Sequence, residues 1–523
     1  MNEIKEFRGV KIPRSEAKVL QELEHLCGRQ LQEKEKITMT DKILFSVSNN
    51  HVTTVGFTMD ILPEDDLNTV LQSLNNLTAL ENLYLEGTNL TLLPTSIGNF
   101  TSLQTLWLGY NRLSSLPDAM GDLQSLEELY LENNRLSTIP ESITTLASLK
   151  KLHLWENQVV SLPDSIGNLT SLEELDLNTN KLKKVPESVG RLASLEKLWL
   201  SRNELSSLPE SIGNLQSLKM LDVYGNTLKT LPESISNLAS LKRFHIGKNQ
   251  LETVPKSIKA LASLEKLSLK GNQLTQLPYF IGKLKSLKDL NVRDNDLSAF
   301  PRSIGRISAL TTLNLQKNNL TSLSSIIGNL ESLEYLYLGK NQLSSLPETI
   351  GNLTIRVLDL RGNQLMTLPE SVLDIGEQFE RLNILNNPLN PEVKSIIKQL
   401  TRRQVDVKVN MQSILIREVG QDAKNSISRT LQILENRQKT RKNSAWTRSE
   451  RKNNRKKDEK GNALASIIYK LRAIDILGEE SEPYSPRPGH ENPKAREQER
   501  INLIAKQFYY LEKVFRKFIS QAR

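Results

Sequence analysis

The sequence predicts an α/β solenoid, with a curved parallel sheet on its concave face and short helical or 3-10 turns on its convex face, followed by a helical C-terminal module. The pattern LxxLxLxxNxLxxLPxxIGxL recurs from residue 80 to residue 389. Its asparagine returns with a strict 23-residue step in eleven successive coils. After residue 390 the pattern stops and the chain becomes strongly basic. These three observations define a long repeat domain and a different C-terminal region.

The repeated asparagine occurs once in nearly every coil, so its positions mark the successive coils. It is found at Asn111, Asn134, Asn157, Asn180, Asn203, Asn226, Asn249, Asn272, Asn295, Asn318 and Asn341, then with a longer step at Asn363 and Asn387. Thr88 holds the slot one coil earlier, and Val52, Val55, Phe57, Asp60 and Leu62 fit the template 28 residues before that. One coil of this length cannot bury its own apolar face, but stacked coils build a continuous core. The sequence therefore predicts a leucine-rich-repeat solenoid of fifteen coils over residues 52–389.

Each part of the pattern has a structural role. The leucines of LxxLxL, such as Leu103, Leu106 and Leu108, point inward from a short strand while their neighbours point outward. The asparagine amide can bond backbone groups that turn inside the core and have no other partner. The following Leu-Pro, as at Pro117, presets φ and begins a helical or 3-10 turn on the convex side. Ser324 replaces this proline in one coil.

Non-repeat segments are expected to cap the stack at both ends. An N-terminal cap of residues 1–51 contains an amphipathic helix at 15–31 and part of a hairpin. The hairpin strands are Ile43–Val47 and Val52–Phe57, joined by Ser48-Asn49-Asn50-His51. A C-terminal cap of residues 390–410 contains the helix Pro391–Leu400 and a closing strand. The inward positions of this second cap are Val393, Ile396, Ile397 and Leu400 in the helix and Val405, Val407 and Val409 in the strand.

Residues 411–523 are predicted to form a basic helical module with disordered linkers. From residue 391 onward the chain has 30 Lys and Arg against 16 Asp and Glu. Ten of these basic residues and a single acid fall in Arg437–Lys457. Apolar residues at helical spacing flank this stretch at 464–474 and 501–518, and the second set keeps a coiled-coil seam for roughly three heptads. The C-terminal helix could therefore pack within the chain or mediate self-association.

The sequence favours a non-enzymatic protein without a cofactor or metal. It contains no GxxxxGK[ST] run for phosphate, and its five histidines show no metal-ligand spacing. The only cysteine, Cys27, lies in a predicted apolar stripe, where a small core residue is expected more often than a nucleophile. The lack of a cysteine framework, of a long apolar run and of a signal-peptide core predicts a cytoplasmic location.

Outward positions of the predicted strands point to a binding surface. Aromatic residues crowd these positions in the early coils, and three of the four tryptophans are among them. The aromatic and histidine residues assigned to this candidate protein-binding face are Tyr84, Trp107, Tyr110, Tyr130, His153, Trp155, Trp199 and Tyr224. Large side chains with a polar group are enriched at interface hot spots. The alternative is that they form a cross-strand ladder that stabilises the sheet without any partner.

Charge on the same face is divided along the stack. In the five outward slots of each coil, the coils from Leu80 to Leu172 carry two basic and nine acidic residues. Those from Leu195 to Phe379 carry fifteen basic and eight acidic residues, with Lys242, Arg243 and Lys248 assigned to the binding face. We interpret this as a bipolar surface that orients a protein partner, against the alternative of random variation in surface charge.

The repeat text resembles a known class. Residues 166–203 read IGNLTSLEELDLNTNKLKKVPESVGRLASLEKLWLSRN, and together with the pattern over about 52–389 they resemble the intracellular Ras-group leucine-rich-repeat proteins, which include the Ras–Raf pathway scaffold and its plant relatives. The resemblance implies an arc that binds proteins through its concave face, as a scaffold or adaptor in signal transduction. It also implies a small GTPase or a phosphatase subunit as a typical partner.

The basic tail predicts two further partners. It could contact nucleic acid through phosphate groups, with Trp446 available for stacking. It could instead contact an anionic membrane, assisted by Phe508, Phe515 and Phe518. The basic residues assigned to either contact are Arg437, Arg441, Lys442, Arg448, Arg451, Lys452, Arg455, Lys456 and Lys457. A solvated linker beside a self-packing helix pair is the third interpretation.

Overall fold

The computed structural model describes residues 3–34, 43–57, 67–411 and 414. All described residues belong to one compact unit within Met1–Lys424. Apart from Met411 and Ile414, the predicted module of 411–523 lies outside the described residues. The predictions for its basic stretch and its helices stay predictions.

The N-terminal segment has more structure than the sequence predicted. Its elements are strands β1 (Ile4–Phe7) and β2 (Val10–Pro13), helix α1 (Arg14–Cys27), strands β3 (Gln32–Glu33), β4 (Ile43–Ser48) and β5 (His51–Phe57), and helix α2 (Leu67–Leu74). The β4–β5 hairpin matches the predicted element, whereas the β1–β2 hairpin and α2 were not predicted. Helix α1 matches the predicted helix in position but ends at Cys27 and not at residue 31, because Gly28 ends it with a left-handed backbone at φ 62°. The β4–β5 turn is shorter than expected, because Asn49 and Asn50 alone form it with φ values of 51° and 64°. Two consecutive residues with positive φ define the turn that matches strand twist.

One short strand follows in each coil. These strands are β6 (Asn82–Tyr84), β7 (Thr105–Trp107), β8 (Glu128–Tyr130), β9 (Lys151–His153), β10 (Glu174–Asp176), β11 (Lys197–Trp199), β12 (Met220–Asp222), β13 (Arg243–His245), β14 (Lys266–Ser268), β15 (Asp289–Asn291), β16 (Thr312–Asn314), β17 (Tyr335–Tyr337), β18 (Val357–Asp359) and β19 (Arg381–Asn383). Helix α3 (Val393–Arg402) and strand β20 (Asp406–Lys408) follow in the predicted C-terminal cap. Strands adjacent in sequence pair in parallel from β5 to β20, and Leu175 lies opposite Leu152 and Leu198. The predicted solenoid is confirmed, and β5 to β19 supply one strand for each of the fifteen predicted coils. Asp60 and Leu62 of the first predicted coil lie outside the described residues.

A 3-10 helix forms on the opposite side of each regular coil. These helices are Thr95–Asn99, Asp118–Asp122, Glu141–Thr145, Ile166–Asn168, Glu187–Arg191, Glu210–Asn214, Glu233–Asn237, Lys256–Ala260, Tyr279–Lys283, Arg302–Arg306, Ser325–Asn329, Glu348–Asn352 and Glu370–Asp374. The predicted proline precedes most of them, as at Pro209 with φ −68°. Ser324 adopts the same backbone, with φ −66°, and its hydroxyl accepts a hydrogen bond from the Ile326 amide. Serine therefore replaces the proline by capping the turn.

The core is one continuous column of leucines with a column of asparagines beside it. Leu103, Leu106 and Leu108 are fully buried, as predicted. Asn203 Nδ2 donates to the carbonyl oxygens of Leu177 at 2.9 Å and Leu200 at 3.1 Å, and its Oδ1 accepts from the Leu182 amide of the preceding coil at 3.0 Å. Each such asparagine therefore joins its own coil to the preceding one. Its amide also bonds backbone groups that are buried and unavailable to water.

The residue before each consensus asparagine has a left-handed backbone in most coils. Tyr110 and Thr179 have φ of 54° and Lys248 has φ of 48°, while glycine fills this slot at Gly225 and Gly271. For residues other than glycine and asparagine this conformation costs roughly 1–2 kcal/mol. The left-handed conformation of the outward residue at this slot is therefore imposed by the surrounding coil and not by the intrinsic backbone preference of that residue.

Thr179→Asn is expected to stabilise the solenoid by about 0.5–1 kcal/mol, because asparagine tolerates a left-handed backbone and a β-branched residue does not. Asn133 already occupies this slot in another coil, with φ 51°. Urea unfolding followed by circular dichroism measures the change. Thr170→Asn, at an exposed site without positive φ, is the control. Unchanged or lower stability of Thr179→Asn would contradict the backbone argument.

Glycine lies in most of the 3-10 helices, where neighbouring coils touch. A Cβ atom on Gly190 would be 2.5 Å from the carbonyl oxygen of Ser211 in the next coil, and one on Gly121 would be 2.8 Å from that of Ser142. Strands are about 4.8 Å apart across a sheet. At Gly121 and Gly190 the backbone of the next coil therefore leaves no room for a side chain.

Candidate protein-binding face

The strands present their first and third residues on the concave side, since the middle residue of each, such as Leu106, is buried. The third residues of five strands form what we call the aromatic row. Its members are Tyr84 on β6, Trp107 on β7, Tyr130 on β8, His153 on β9 and Trp199 on β11. Parallel in-register pairing brings these positions next to each other, as in the Tyr84–Trp107 and Trp107–Tyr130 pairs. Each member is half-buried.

Ring contacts run the length of the aromatic row. The Trp107 and Tyr130 rings are stacked with centroids 4.0 Å apart, and the Tyr84 and Trp107 rings are 5.8 Å apart. Tyr130 and His153 meet edge to face at 4.9 Å. His153 and Trp199 meet edge to face at 6.3 Å, across the coil that contains β10. These contacts are compatible with a ladder that stabilises the sheet and also with a binding surface on the exposed sides of the rings.

Two further aromatic residues lie beside the row. Tyr110 and Trp155 meet edge to face with centroids 5.9 Å apart, although one complete coil lies between the coils that contain them. That coil contributes Glu132 at the slot equivalent to Trp155. The His153–Trp199 contact spans Asp176 in a similar way, since Asp176 pairs with both residues in the sheet. Each of these acids therefore lies between aromatic residues of the preceding and the following coil.

The two acids differ in their hydrogen bonds. Asp176 Oδ1 accepts from the Asn178 amide at 2.9 Å. Glu132 is 6% exposed, and its Oε2 is buried without a hydrogen-bond partner among the described residues. Its side chain lies against Gly109, because a Cβ there would be 2.8 Å from the Glu132 carboxylate. Gly109 therefore provides the space that Glu132 fills.

The acidic groups of this region have unusual proton affinities. Burial, together with the charges of Glu86 and Asp176, raises the pKa of Glu132 to about 7. Burial also raises the pKa of Asp176 to about 6 and raises that of Glu86. Burial raises the pKa of Tyr130, whose hydroxyl donates to Glu128 Oε2 at 2.9 Å, and lowers the pKa of His153. Part of the negative charge predicted for the early coils is therefore titratable near neutral pH.

Cross-strand ion pairs neutralise other charges of the early coils. Lys150 pairs with Glu127 at 2.6 Å, Lys151 with Glu128 at 2.7 Å and Lys197 with Glu174 at 2.8 Å. In the later coils Lys242, Arg243 and Lys248 are exposed, and Lys248 Nζ lies 5.7 Å from the centroid of the Tyr224 ring. The two halves of the face therefore differ in how their charges are placed, since cations of the early half are paired across strands, whereas Lys242, Arg243 and Lys248 of the later half are exposed.

Two shallow depressions lie further along the same face. One is lined by Asp222, Tyr224, His245, Lys266, Leu267, Ser268, Asp289 and Asn291. The other is lined by Tyr335, Tyr337, Val357, Asp359, Arg361, Glu380, Arg381 and Asn383. Among these lining residues, Tyr224 alone was predicted from the sequence to belong to the binding face.

The structure brings most of the predicted face residues together and adds a site that was missed. Tyr84, Trp107, Tyr130, His153 and Trp199 form one row, whereas Lys242, Arg243 and Lys248 lie together in one later coil. Glu132 was not predicted as a site residue. The pattern that could have revealed it is an acid following a glycine at the same slot of the preceding coil, between Tyr110 and Trp155.

The part of the chain that the structure describes contains neither a membrane-spanning helix nor a metal-binding cluster. No helix there is long and apolar enough to cross a membrane. No group of three or more His, Cys, Asp or Glu residues in that part could hold a metal ion.

Comparisons with known proteins agree on the repeat. Family models described as leucine-rich repeat region and leucine rich repeat match residues 37–158 and 186–273, and 147–205 and 308–365, respectively, and a third leucine-rich-repeat model matches 263–284. A solved leucine-rich-repeat protein of Leptospira interrogans is 33% identical, with a TM-score of 0.65, over 75% of this chain and 98% of its own. No curated protein matches the sequence.

Plant receptors share the fold at lower identity. The Arabidopsis receptor kinase HAESA, solved with the peptide hormone IDA and a co-receptor, is 26% identical with a TM-score of 0.51, over 70% of this chain and 66% of its own. The plant peptide hormone receptor RGFR1, solved with RGF2, is 26% identical with a TM-score of 0.50 over the same shares.

The fold and its concave face define a repeat solenoid of the kind that binds other macromolecules across stacked coils. Together with the matched models and the Leptospira structure, they show that the chain belongs to the leucine-rich-repeat proteins. Leucine-rich-repeat domains generally mediate protein–protein interaction and are typically non-enzymatic.

Proposed function

We propose that this protein is a non-enzymatic scaffold or adaptor that binds a protein partner through the aromatic row of its concave face. The observation that carries the proposal is the continuous contact of half-exposed rings from Tyr84 to Trp199. A row fixed by the sheet loses little side-chain entropy when a partner covers it. Aromatic side chains of this type supply most of the binding energy at interface hot spots.

Charge orients the partner in this proposal. The acids Glu86, Glu132 and Asp176 lie near the aromatic row, and the exposed bases Lys242, Arg243 and Lys248 lie several coils away. A partner with basic groups at one end and acidic groups at the other matches this arrangement in one direction only. Complementary charges of this kind increase the association rate and disfavour the reverse orientation.

The structural neighbours support a polypeptide as the ligand. HAESA was solved with a peptide hormone and a co-receptor, and RGFR1 with RGF2, which are protein or peptide partners. Both share the stacked-coil architecture of this chain over 70% of its length. A partner that lies across several strands is therefore a reasonable match to the proposed face.

The proposal includes four finer points. They are a cytoplasmic location, a role in signal transduction, the Ras-group assignment and a small GTPase or phosphatase subunit as partner. Nucleic-acid or anionic-membrane binding through Arg437–Lys457 is the alternative function, and that stretch lies outside the described residues.

Trp107→Ala combined with Trp199→Ala is expected to weaken partner binding at least about tenfold, since truncated hot-spot aromatics cost ~2 kcal/mol or more. Proteins captured from an extract of the source cells by the wild type and by the variant are compared quantitatively by mass spectrometry. Tyr279→Ala is the matched control, because Tyr279 is 73% exposed in a 3-10 helix on the convex side. The proposal fails if every partner is retained by the double variant, or if Tyr279→Ala loses the same partners. Circular dichroism melting confirms that each variant is folded.

A further inference from the structure

We propose that Glu132, together with Tyr110 and Trp155, forms a binding site for the guanidinium group of an arginine side chain on the partner polypeptide. This inference rests on the proposed function and names the chemistry of the partner at one position. The three residues come from three successive coils, and they lie next to the aromatic row.

Glu132 is a carboxylate with an unpaired oxygen. It is 6% exposed, and its Oε2 accepts no hydrogen bond among the residues that the structure describes. A buried carboxylate in this state is costly, and native proteins retain such groups chiefly where a ligand or a function uses them. Gly109 holds the space for the Glu132 side chain, because any Cβ there would overlap it at 2.8 Å.

Three lysines of the early coils pair with other acids and not with Glu132. Lys150, Lys151 and Lys197 each bond a different glutamate, at distances of 2.6 to 2.8 Å. The ion pairs of the described residues include none to Glu132. The Glu132 carboxylate is therefore left without a cation in this structure, and a partner can supply one.

The surroundings favour arginine over other cations. A guanidinium group can donate two hydrogen bonds to a carboxylate while its plane stacks on an aromatic ring. Trp155 and Tyr110 supply such rings, and they meet edge to face at 5.9 Å. Acidic groups also act on the Tyr110 hydroxyl, whose pKa is raised by burial first and then by the charges of Glu132, Glu86 and Glu156.

Access to the carboxylate requires movement of one side chain. Tyr110 is 46% exposed, the highest exposure among the aromatic residues of the face. Rotamer changes of exposed side chains take picoseconds to nanoseconds. Rotation of Tyr110 away from Trp155 would open Glu132 to the arriving guanidinium, and the ring could then close over it.

The test uses small probes and the full chain. N-acetyl-arginine amide is titrated into protein labelled with 5-fluorotryptophan, and N-acetyl-citrulline amide serves as the uncharged isostere. The four tryptophans give four fluorine resonances, which single Trp→Phe variants assign. We expect the Trp155 resonance to shift saturably with the arginine probe and not with the citrulline probe. Glu132→Gln should weaken this binding at least tenfold, and Glu196→Gln, whose native carboxylate pairs with Lys219, should leave it unchanged.

A pH series provides a second readout that a purely structural role of Glu132 would not change. Binding of the arginine probe should weaken as the pH falls from 8 to 6, because burial, with the charges of Glu86 and Asp176, raises the pKa of Glu132 to about 7. This pH dependence should be absent in Glu132→Gln.

Three outcomes would overturn the inference: no saturable shift with the arginine probe, equal shifts with both probes, or wild-type affinity in Glu132→Gln. Unchanged resonances of the other tryptophans in Glu132→Gln show that the variant is folded. The capture experiment with Trp107 and Trp199 leaves Glu132 intact. Loss of the arginine site with retained, aromatic-dependent capture would therefore reject this inference alone.

Discussion

Asn203→Ala is expected to lower the free energy of unfolding by about 1–3 kcal/mol, because it leaves the buried amide of Leu182 without a partner. The carbonyl oxygens of Leu177 and Leu200 each lose one of two side-chain hydrogen bonds, since Asn180 Nδ2 still donates to the first at 3.1 Å and Asn226 Nδ2 to the second at 2.9 Å. These groups belong to two coils, so the substitution weakens the interface between coils as well as the turn. Urea unfolding followed by circular dichroism gives the change, and hydrogen exchange of β10 to β12 shows whether the loss is local.

Asn214→Ala is the matched control for this prediction. Asn214 is also an asparagine but lies exposed at the end of the 3-10 helix Glu210–Asn214. Its substitution should change stability by less than about 0.5 kcal/mol, as is usual for surface sites. Similar effects of the two substitutions would mean that the asparagine column does not have the proposed role.

Glu132→Gln is expected to raise the free energy of unfolding on the order of 3 kcal/mol above pH 7, because it removes a buried charge. The folded-state pKa of Glu132 is about 7, above its ordinary value of 4.5. The contribution of protonated Glu132 to the stability of the wild type is therefore complete below pH 4.5 and is lost as the pH rises through 7. The difference between variant and wild type should accordingly be small at pH 4.5 and largest above pH 7.

Denaturant unfolding at pH 4.5, 6 and 8 measures this difference. Glu127→Gln is the control, because Glu127 is a half-exposed partner of Lys150, and exposed pairs contribute roughly 0–1 kcal/mol. A gain in stability that does not vary with pH, or a loss of stability at pH 8, would contradict the assignment of a raised pKa. A gain in stability together with loss of the arginine probe would identify Glu132 as a residue retained for binding.

The repeat could be predicted from the sequence because the residues that recur with its period each have a fixed structural role. The asparagine bonds, the proline before each 3-10 helix and the inward leucines follow from local chemistry, as Asn203, Pro209 and Leu106 show. The β1–β2 hairpin and α2 escaped prediction, since each is a short element outside the periodic pattern. Elements of this length carry little periodicity from which to infer them.

The candidate site was predicted only in part. Alternation along a strand places Trp107 and Trp199 on the concave face, so their positions follow from the pattern. The burial of Glu132 does not follow, because an outward slot predicts a solvated acid. Burial here depends on the missing side chain of Gly109 and on the Tyr110–Trp155 contact, both of which require the three-dimensional stack.

The glycines of the 3-10 helices also bear on the contour of the molecule. Gly121 and Gly190 allow the backbone of the next coil to approach closely. In three other coils the same position is occupied by a residue with a side chain, namely Thr144, Ser236 or Lys259. Thr144 instead reaches the following coil through a 2.9 Å hydrogen bond to Ser165 Oγ. We expect a bulkier residue on the outer side to increase the angle between adjacent coils. A substitution at a single outer position would then change the length of ligand that the inner side accommodates.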